Sequence, residues 1–505
     1  MKRTGHSPKR ILVANRGEIA CRVMRSAREM GIETVAVYSH ADRGALHVSM
    51  ADQAAGLEGD RKAGGYLDIE QVVGAALGSG ADAVHPGYGF LAENPAFAAA
   101  VEEAGLVFIG PAPATMEAMG DKIRARQLAL ENGVPVIPAA EARDLEATQK
   151  AAAELGYPLL VKAAAGGGGH GMRAVADGEE LAAALRGTRR EALSAFGDER
   201  VYLEKLIDRP RHIEVQLFGD GKGQALDLGE RECSLQRRHQ KIIEESPSAA
   251  VGEGLRRRIR QAALKLASAT RYRGAGTVEF LVDGKGSFYF LEMNTRLQVE
   301  HAVTEMVSSV DMVRWQIELA SGGVLPDRRP EARGHAIECR VYAEDPAAGF
   351  LPCGGRIARL ELPAGAGLRV DSALVEGMDI AVEYDPLLAK VIAWAPDRPQ
   401  AVARIRGAVA ATSILGATTN LGFLDDMLAS KDFAEACFDT TTVERSWNNW
   451  RPPSEGAGFE MAAAAAALLS LNAVPSRAGA GRTAAHRAEG PWQTLGPWRL
   501  GKGSP

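Results

Sequence analysis

The segment from Phe288 to His301, FYFLEMNTRLQVEH, combines residue types that suit a site for both a cation and an anion. Its aromatic start favours an extended conformation, in which side chains alternate between the two faces of a strand. An ordinary amphipathic strand is the alternative interpretation of this segment taken by itself. An extended segment presents carboxylate, amide, guanidinium, amide and carboxylate groups along one edge, from Glu292, Asn294, Arg296, Gln298 and Glu300.

A second β-type run, Gly276 to Val282, lies just upstream, and the turn-like sequence DGKG separates the two runs. The turn allows two registers, with Leu281 facing Ser287 or Phe288, and in the second Glu279 and Glu292 share a face as diagonal neighbours, with Cα atoms about 7–8 Å apart. Two carboxylates at that separation repel each other unless a cation lies between them. Because Mg²⁺ takes oxygen ligands, often one or two carboxylates with substrate phosphates, the hairpin predicts a metal and phosphate site. The segment after the hairpin predicts an anion site.

The overall composition is that of an ordinary globular protein, and the 505 residues allow about two to four domains. A net charge of −5 gives no reason to expect a nucleic-acid partner. The five cysteines are scattered without metal-binding spacing, which favours a reducing, cytoplasmic location. No apolar run reaches about 18 residues, and the basic N-terminus lacks the apolar stretch of a secretory signal, so no membrane span is expected.

The elements that must position these groups begin as alternating strands and helices. The runs RILVA at 10–14 and TVAVY at 34–38 enclose a helix, which predicts a parallel α/β layer. The turn after the first strand lacks the glycine fingerprint of a dinucleotide-binding fold, so no NAD site is predicted. The sequence HPGYG at 85–89 ends another strand, where open α/β sheets bind ligands, although a plain turn is the alternative.

A glycine-rich loop follows the predicted strand that ends in Lys162. The sequence AAAGGGGHGMR at 163–173 contains a G-x-G-x-x-G spacing, but a strand rather than a helix is predicted after it. A strand–loop–strand unit can cover phosphates with its backbone N–H groups. The lysine beside the loop favours a nucleotide lid, because a point charge meets phosphate oxygens, whereas a flexible linker is the alternative.

A basic run, RRHQK at 237–241, follows a second predicted hairpin. Two interpretations stay open: a solvated basic turn, or an anion-binding loop whose cations lie beside carboxylates. From Gly334 onward, short β runs and glycine turns predict a largely antiparallel domain. Beyond Val443 we expect a linker, an alanine-rich helix at 461–471 and a disordered stretch at 476–490.

These motifs, in their order and spacing over residues 8–445, resemble the biotin carboxylase family of ATP-grasp enzymes. The resemblance rests on Lys122, Lys162, the glycine-rich loop, RRHQK, the acidic pair of the hairpin and MNTRLQVEH. It implies an α/β and α+β multidomain fold with a Rossmann-like α/β domain at 8–118, an ATP-grasp domain at 119–328 with a mobile lid at about 136–206, and a mainly antiparallel β domain at 333–445. Residues 446–505 are expected to hold a linker, the alanine-rich helix and the start of a following domain.

The resemblance also implies a reaction, the first half-reaction of an acyl-CoA carboxylase. ATP phosphorylates bicarbonate to carboxyphosphate, whose CO₂ passes to N1′ of biotin, with Mg²⁺ or Mn²⁺ as the metal. Another ATP-grasp ligase, of the carbamoyl-phosphate-synthetase type, is the alternative enzyme. A non-catalytic nucleotide-binding subunit is the alternative from another class.

Site residues follow from the family motifs, position by position. Glu279 and Glu292 would bind the metal with Asn294 beside them, and Glu300 would deprotonate bicarbonate. The bicarbonate pocket would be formed by Arg296, Gln298 and the backbone of Val299. Around it, Lys241 would steady carboxyphosphate, Arg340 would stabilise the biotin enolate and Tyr88 would flank the ureido ring. ATP contacts are expected from Lys122, Lys162, Gly168, Gly169, Glu204, Lys205, Ile207, His212, Gln236 and His239.

Two lid positions depart from the family pattern. His170 stands where the family more often has arginine or lysine, and Ala165 stands where glycine is commoner. The first departure removes a guaranteed positive charge at neutral pH, because free histidine has a pKa of about 6.5. Neither departure touches the expected metal, bicarbonate or enolate positions, so activity is expected to survive.

The expected partners follow from a missing motif. The chain has no Ala-Met-Lys-Met biotinylation sequence, so biotin is expected on another polypeptide, or the chain is a fragment. A biotin carboxyl carrier, a carboxyltransferase subunit and a homodimer or larger assembly are the implied partners. The sequence PWQTLGPWRL at 491–500 is similar to the start of the linker domain in α subunits of methylcrotonyl-CoA and related acyl-CoA carboxylases, and a disordered end is the alternative.

Overall fold

The computed structural model describes residues 7–59, 65–142, 144–164, 171–380 and 384–452. The chain divides into two units, residues 1–451 and 452–505, and the elements given below all belong to the first. The predicted alanine-rich helix and terminal stretch lie outside the described residues. The same holds for four lid-loop residues: Ala165, Gly168, Gly169 and His170.

The N-terminal part is a five-stranded sheet with helices along it. Its elements are β1 (Arg10–Val13), α1 (Gly17–Glu29), β2 (Glu33–Tyr38), α2 (Leu46–Met50), β3 (Gln53–Gly56), α3 (Ile69–Gly78), β4 (Ala83–His85), α4 (Pro95–Glu103) and β5 (Val107–Phe108). The strands are all parallel, in the order β3–β2–β1–β4–β5. Ile11, Leu12 and Val13 of the central strand are fully buried, as expected where both faces of a sheet are covered. The predicted parallel α/β layer is confirmed.

A smaller sheet carries the predicted lid. The elements here are α5 (Pro113–Gly120), α6 (Lys122–Glu131), β6 (Ala139–Glu141), α7 (Leu145–Leu155), β7 (Leu159–Ala163), β8 (Met172–Val175), α8 (Gly178–Phe196) and β9 (Val201–Lys205). The four strands are antiparallel, in the order β6–β9–β7–β8, and α7 and α8 close a small separate core over them. Because β7 and β8 flank the glycine-rich loop and pair with each other, the predicted strand–loop–strand unit is confirmed.

The central part carries the two predicted hairpins. Its elements are β10 (Arg211–Asp220), β11 (Ala225–Arg237), β12 (Gln240–Ser246), α9 (Glu253–Ala269), β13 (Arg273–Val282), β14 (Phe288–Asn294), α10 (His301–Ser308) and α11 (Met312–Ala320). Strand β10 pairs with β11 on one side and with β13 on the other. Apolar residues of α9 pack against β10 and β13 in one buried cluster, which holds both hairpins in place.

The C-terminal part consists of short strands followed by helices. Its elements are β15 (His335–Tyr342), β16 (Glu344–Asp345), β17 (Leu351–Pro352), β18 (Gly355–Arg356), β19 (Arg359–Glu361), β20 (Leu368–Ser372), β21 (Asp379–Ile380), β22 (Leu387–Ala395), α12 (Arg398–Ala410), β23 (Ser413–Leu415), α13 (Leu421–Ala429), α14 (Lys431–Ala434) and α15 (Thr442–Trp447). All its described strand pairs are antiparallel, as predicted.

One eight-stranded antiparallel sheet joins the central and C-terminal parts. Its order is β14–β13–β10–β11–β12–β15–β22–β20, so β15 continues the ladder of β12. The predicted fold class is confirmed, whereas the predicted domain boundaries stay predictions. Within the described residues, no helix has both the length and the apolar character that a membrane span requires.

Candidate active site

The acidic pair lies on the hairpin of β13 and β14. Glu279 and Glu292 are direct cross-strand partners, because Leu291 has no partner and shifts the register as a bulge. The predicted diagonal register is therefore wrong, although the two side chains do share a face. Glu279 is almost fully buried, whereas the side chain of Glu292 is 27% exposed. The pair thus has one carboxylate in the protein interior and one that is partly open to solvent.

The strand ends at Asn294, so the expected extended run through Glu300 is wrong. The residues that follow form a loop, and Glu300 is the N-cap of α10. The carboxylate of Glu93 accepts hydrogen bonds from the backbone N–H of Thr295 at 3.1 Å and from Nε of Arg296 at 2.7 Å. The guanidinium also donates to Oδ1 of Asn294 at 3.1 Å. A contact with the N-terminal part therefore shapes this loop.

Lys241 lies at the centre of a buried group of carboxylates. Its Nζ donates to Glu214 at 2.6 Å, to Glu279 at 2.9 Å and to Glu300 at 2.6 Å. Burial by itself would lower the pKa of Lys241, but the three carboxylates hold it well above its ordinary value. Lys241 is therefore charged, and it connects the acidic hairpin to the residue expected to act as the base.

Glu300 faces two cations, one at each oxygen. Oε1 accepts from Lys241, and Oε2 accepts from Nη2 of Arg340 at 2.9 Å. Burial would raise the pKa of Glu300, but Lys241, Arg340 and Arg231 hold it well below its ordinary value. Arg296 makes its hydrogen bonds elsewhere, to Glu93, Asn294 and the carbonyl of Leu297. Glu300 is thus ionised at neutral pH and has the charge state that a proton acceptor needs.

Arg340 reaches this group from β15. Its Nε donates to Oε1 of Glu244 at 2.5 Å, and its Nη2 is the group that meets Glu300. Nδ2 of Asn420 donates to the backbone carbonyl of Arg340 at 3.0 Å, which fixes the strand at this point. A guanidinium from the C-terminal part therefore contacts Glu300, at the end of the loop that follows the acidic hairpin.

Sequence reasoning missed Arg231, a fully buried side chain that shares the carboxylate of Glu214 with Lys241. It ties together β10, β11, β13 and α10, so several elements depend on one guanidinium. The alternation of polar and apolar residues along β10 was a weak signal of this polar layer. The partners of Arg231 are Glu214, Gln216 at 2.7 Å, Thr304 at 2.9 Å, Thr277 at 3.1 Å and Gln298 at 2.6 Å.

Two of the expected nucleotide-binding lysines lie beside acids, one within the lid sheet and one next to the acidic hairpin. Nζ of Lys162 donates to Glu204 at 2.8 Å in a buried pair. Nζ of Lys122, at the start of α6, lies 3.4 Å from Oε2 of Glu292. Two of the lysines expected to contact ATP therefore sit beside acids of the lid and of the hairpin.

Other residues expected to contact ATP take different positions. Nζ of Lys205 donates to the backbone carbonyls of Gly156 at 2.7 Å and Tyr157 at 3.0 Å, so its side chain braces the lid. Nε2 of His212 lies 2.9 Å from Glu279, and that carboxylate raises the pKa of His212 against the effect of burial. Two more of the expected ATP contacts lie on different sheets. Ile207 follows β9 of the lid sheet, and Gln236 pairs with Lys241 across the β11–β12 hairpin of the large sheet.

The basic run 237–241 forms the tight turn of the β11–β12 hairpin. Arg238 and His239 both adopt left-handed backbone conformations, with φ of 48° and 67°. Such conformations are uncommon outside glycine, asparagine and aspartate and are retained where neighbouring contacts impose them. Here the backbone N–H of Arg238 donates to Oε1 of Glu444 in α15 at 2.7 Å. The C-terminal part therefore holds this turn.

Tyr88 connects to the loop through buried charges. Its hydroxyl hydrogen-bonds to Glu18, and Glu18 lies 3.3 Å from Nζ of Lys390. Burial raises the pKa of Glu18 to about 7 although Lys390 lowers it. Nζ of Lys390 also donates to the backbone carbonyl of Val299 at 2.8 Å. The residue expected beside the ureido ring and the residue expected beside bicarbonate are thus linked through one lysine.

Three family models match the chain in order. They are the biotin carboxylase N-terminal domain at residues 7–116, the ATP-binding domain of the carbamoyl-phosphate synthase L chain at 121–328, and the biotin carboxylase C-terminal domain at 338–445. The matches include the strands that carry Lys241, Glu279 and Arg340.

Curated relatives include both subunits of larger carboxylases and stand-alone enzymes. The chain is 42% identical over 472 residues to the mitochondrial methylcrotonoyl-CoA carboxylase subunit alpha of Rattus norvegicus, covering 92% of this chain and 66% of that protein. It is 46% identical over 440 residues to a biotin carboxylase of Nostoc, covering 86% of this chain and 98% of that protein. The chain thus spans about two thirds of the first relative and nearly all of the second.

A solved structure agrees with these matches. The biotin carboxylase domain dimer of the Hydrogenobacter thermophilus 2-oxoglutarate carboxylase, in complex with MgADP, ADP and bicarbonate, matches with a TM-score of 0.84 and 45% identity. The match covers 87% of this chain and 98% of that one. Family models, curated relatives and a solved structure agree with the resemblance seen in the motifs: the chain belongs to the biotin carboxylase family of ATP-grasp enzymes, which are ATP-dependent ligases.

Proposed function

We propose that this chain carboxylates biotin at the expense of ATP and bicarbonate, through carboxyphosphate, as the first half-reaction of a biotin-dependent carboxylase. The observation that carries the proposal is the pair of cations on Glu300. One carboxylate oxygen meets Lys241 at 2.6 Å and the other meets Arg340 at 2.9 Å. The proposed base is thus hydrogen-bonded both to the cation proposed for a phosphorylated intermediate and to the cation proposed for an enolate.

Glu300 is the proposed base for bicarbonate. Lys241 and Arg340 keep it ionised, so it is ready to accept a proton, and they also make it a weak base in the resting site. Displacement of either cation toward a newly bound anion would raise the basicity of Glu300 as the substrate arrives. Arg296, Gln298 and the backbone of Val299 are the proposed bicarbonate contacts.

Lys241 and Arg340 have complementary proposed roles. Lys241 would hold the phosphate end of carboxyphosphate, because an ammonium group meets phosphate oxygens as a point charge. Arg340 would stabilise the negative charge that develops on the ureido oxygen of biotin. Tyr88 would flank the ureido ring. Since both cations already share Glu300, the two reacting groups would be brought to one place.

ATP and a divalent metal fit the opposite side of the site. Glu279, Glu292 and Asn294 present an oxygen-donor set of the kind that Mg²⁺ or Mn²⁺ accepts. The metal would supply charge neutralisation for the phosphates. The proposed nucleotide contacts are Lys122, Lys162, Glu204, Lys205, Ile207, His212, Gln236 and His239, with Gly168 and Gly169 of the lid loop.

The partners and substrates of a complete carboxylase belong to the same proposal. Biotin would arrive on a carrier domain or protein, and a carboxyltransferase subunit would use the carboxybiotin to carboxylate an acyl-CoA. The Rattus relative is a methylcrotonoyl-CoA carboxylase subunit, and the Hydrogenobacter relative is described as a dimer, which supports a homodimer or larger assembly. The cytoplasmic location expected from the scattered cysteines stays a prediction.

The test is a coupled assay of ADP release with bicarbonate, Mg²⁺ and free biotin. Release that requires both bicarbonate and biotin supports the proposal, whereas ATP hydrolysis indifferent to biotin contradicts it. Glu300→Gln is expected to lower kcat by about 10²–10⁴-fold, the usual contribution of a general base. Glu253→Gln, whose side chain is 62% exposed, is the matched control and should keep wild-type kcat.

A further inference from the structure

Glu338 is a buried acid that the proposed mechanism does not use. It lies in the middle of β15, two residues before Arg340, and its side chain is fully buried. Neither of its carboxyl oxygens has a hydrogen-bond partner within the described residues. Ile337 and Cys339 on either side of it pack into the C-terminal core, so Glu338 and Arg340 share the other face of the strand.

Glu244 lies directly opposite Glu338 on β12. It is also fully buried, and its Oε1 accepts the hydrogen bond from Nε of Arg340, while its Oε2 has no partner in the described part of the chain. Side chains that face each other across an antiparallel pair have Cβ atoms about 4.5–5.5 Å apart, within reach of two carboxyl groups. One orphan oxygen of Glu244 therefore stands on the same face as two orphan oxygens of Glu338.

Glu338 and Glu244 cannot both be ionised in this buried position. A buried carboxylate without a hydrogen bond or a cation on it is very costly. The neighbouring cation on β22 is Lys390, whose Nζ is already bonded to Val299 at 2.8 Å and lies 3.3 Å from Glu18 and 3.5 Å from Asp371. Glu338 therefore has to keep its proton, and a buried O–H group needs an acceptor.

We propose that Glu338 is a positioning residue: it stays protonated, donates its O–H to Oε2 of Glu244, and so fixes the carboxylate that holds Arg340 against Glu300. The proposal rests on the proposed function, because it assigns Arg340 a role in biotin carboxylation. One hydrogen bond then satisfies the donor on Glu338 and the orphan oxygen of Glu244. The guanidinium of Arg340 is held between two carboxylates whose own positions are fixed.

Charges around Glu338 agree with this proton. Burial raises the pKa of both acids, that of Glu338 well above its ordinary value and that of Glu244 to about 7. The pKa of Glu244 rises less because Arg340 donates a hydrogen bond directly to its carboxylate. The proton therefore belongs on Glu338. The charged groups that face it are Lys390 of β22, Glu244 of β12, Arg340 of β15 and Glu300 at the start of α10.

Loss of this proton at alkaline pH would place two negative charges opposite each other behind Arg340. The guanidinium would then be drawn toward the two acids and away from Glu300 and the biotin side. The proposal therefore expects kcat/KM for biotin to fall as pH rises above the raised pKa of Glu338, with little change in KM for ATP. If Glu338 had only a structural role, kcat/KM for biotin would not fall at alkaline pH while KM for ATP stayed unchanged.

The experiment compares wild type, E338Q, E338L and the control E361Q, whose side chain is 60% exposed, from about pH 6 to about pH 10. E338Q keeps a donor to Glu244 without a titrating proton, so its alkaline fall should be absent while turnover at neutral pH stays within about threefold of wild type. E338L loses the donor and should lower kcat/KM for biotin about tenfold at every pH. Identical profiles for E338Q and wild type, or E338L equal to E338Q, would overturn the proposal.

A second measurement does not depend on activity. In the infrared difference spectrum of wild type minus E338Q, the carbonyl band of one protonated carboxyl group should be present at neutral pH and disappear on alkaline titration. A difference spectrum without this band would overturn the proposal even if biotin-dependent ADP release is normal. If the band behaves as expected but no variant releases ADP in response to biotin, the proposed function fails and the proton assignment stands.

Discussion

The eight-stranded sheet and the four-stranded lid sheet hold their cations differently. On the eight-stranded sheet, Lys241 contacts three carboxylates, and Arg231 of β11 contacts side chains of three other elements, β10, β13 and α10. On the lid sheet, Lys162 has one carboxylate partner, Glu204, and Lys205 bonds to two backbone carbonyls. The cations of the large sheet are shared among side chains of several elements, whereas these lid cations bond, within the described residues, only to groups of the lid itself.

This difference matches two physical tasks. Groups that stabilise charge in a reaction act best when they are fixed beforehand, and shared cations fix many groups at once. A nucleotide has to enter and leave, which a small sheet with its own core allows when it moves as one piece. The comparison predicts that changes on the large sheet affect turnover and stability, whereas changes on the lid affect the KM for ATP.

The largest effect is expected from Lys241→Met. It leaves Glu214, Glu279 and Glu300 without their common cation, so kcat should fall by at least about 10²-fold and the free energy of unfolding by about 3–5 kcal/mol. Biotin-dependent ADP release and urea unfolding measure the two losses. Lys222→Met, at an exposed turn of the same sheet, is the control. A rise in KM for ATP with unchanged kcat would contradict the expected difference between the large sheet and the lid.

A smaller and different effect is expected from Lys162→Gln on the lid. Glutamine still donates to Glu204 but removes the charge that would meet phosphate oxygens, so KM for ATP should rise about tenfold while kcat stays within about threefold. Initial rates over a range of ATP concentrations give both constants. Lys150→Gln, exposed on α7, should behave as wild type. If kcat falls as far as it does in Lys241→Met, the lid and the large sheet do not differ in their effects on turnover and ATP affinity.

The smallest effect is expected where the C-terminal part touches the nucleotide side. Glu444→Ala removes the acceptor for the backbone N–H of Arg238, so the strained turn with His239 should relax and KM for ATP should rise about two- to fivefold. Glu444→Gln keeps an acceptor oxygen and should restore most of the affinity. Equal KM values for the alanine and glutamine variants would mean that this hydrogen bond does not hold the turn.

Local patterns in the sequence predicted the strands and the shared face of Glu279 and Glu292, because alternation and turn chemistry are local properties. They did not predict the bulge at Leu291, which shifts the pairing by one residue without leaving a composition signal. Glu93 was missed for another reason. It meets Arg296 from 203 positions away, and no local pattern encodes such a contact.

Arg231 illustrates the same limit for the site. Its segment, GERECS, has the charges of a surface strand, yet the side chain is fully buried because Glu214, Gln216 and Gln298 are brought to it by other elements. Motif resemblance found Lys241, Glu300 and Arg340 without this information. Geometry was needed to see that Lys241 and Arg340 both bind Glu300.

The continuous ladder from β14 to β20 constrains how a gene for this protein can be cut or recombined. A polypeptide ending before His335 would expose the backbone edge of β12, a template for aggregation. The same cut would remove the guanidinium that faces Glu300. Fragments split there are therefore expected to regain activity only by strand complementation, with β15 of one piece seated on β12 of the other.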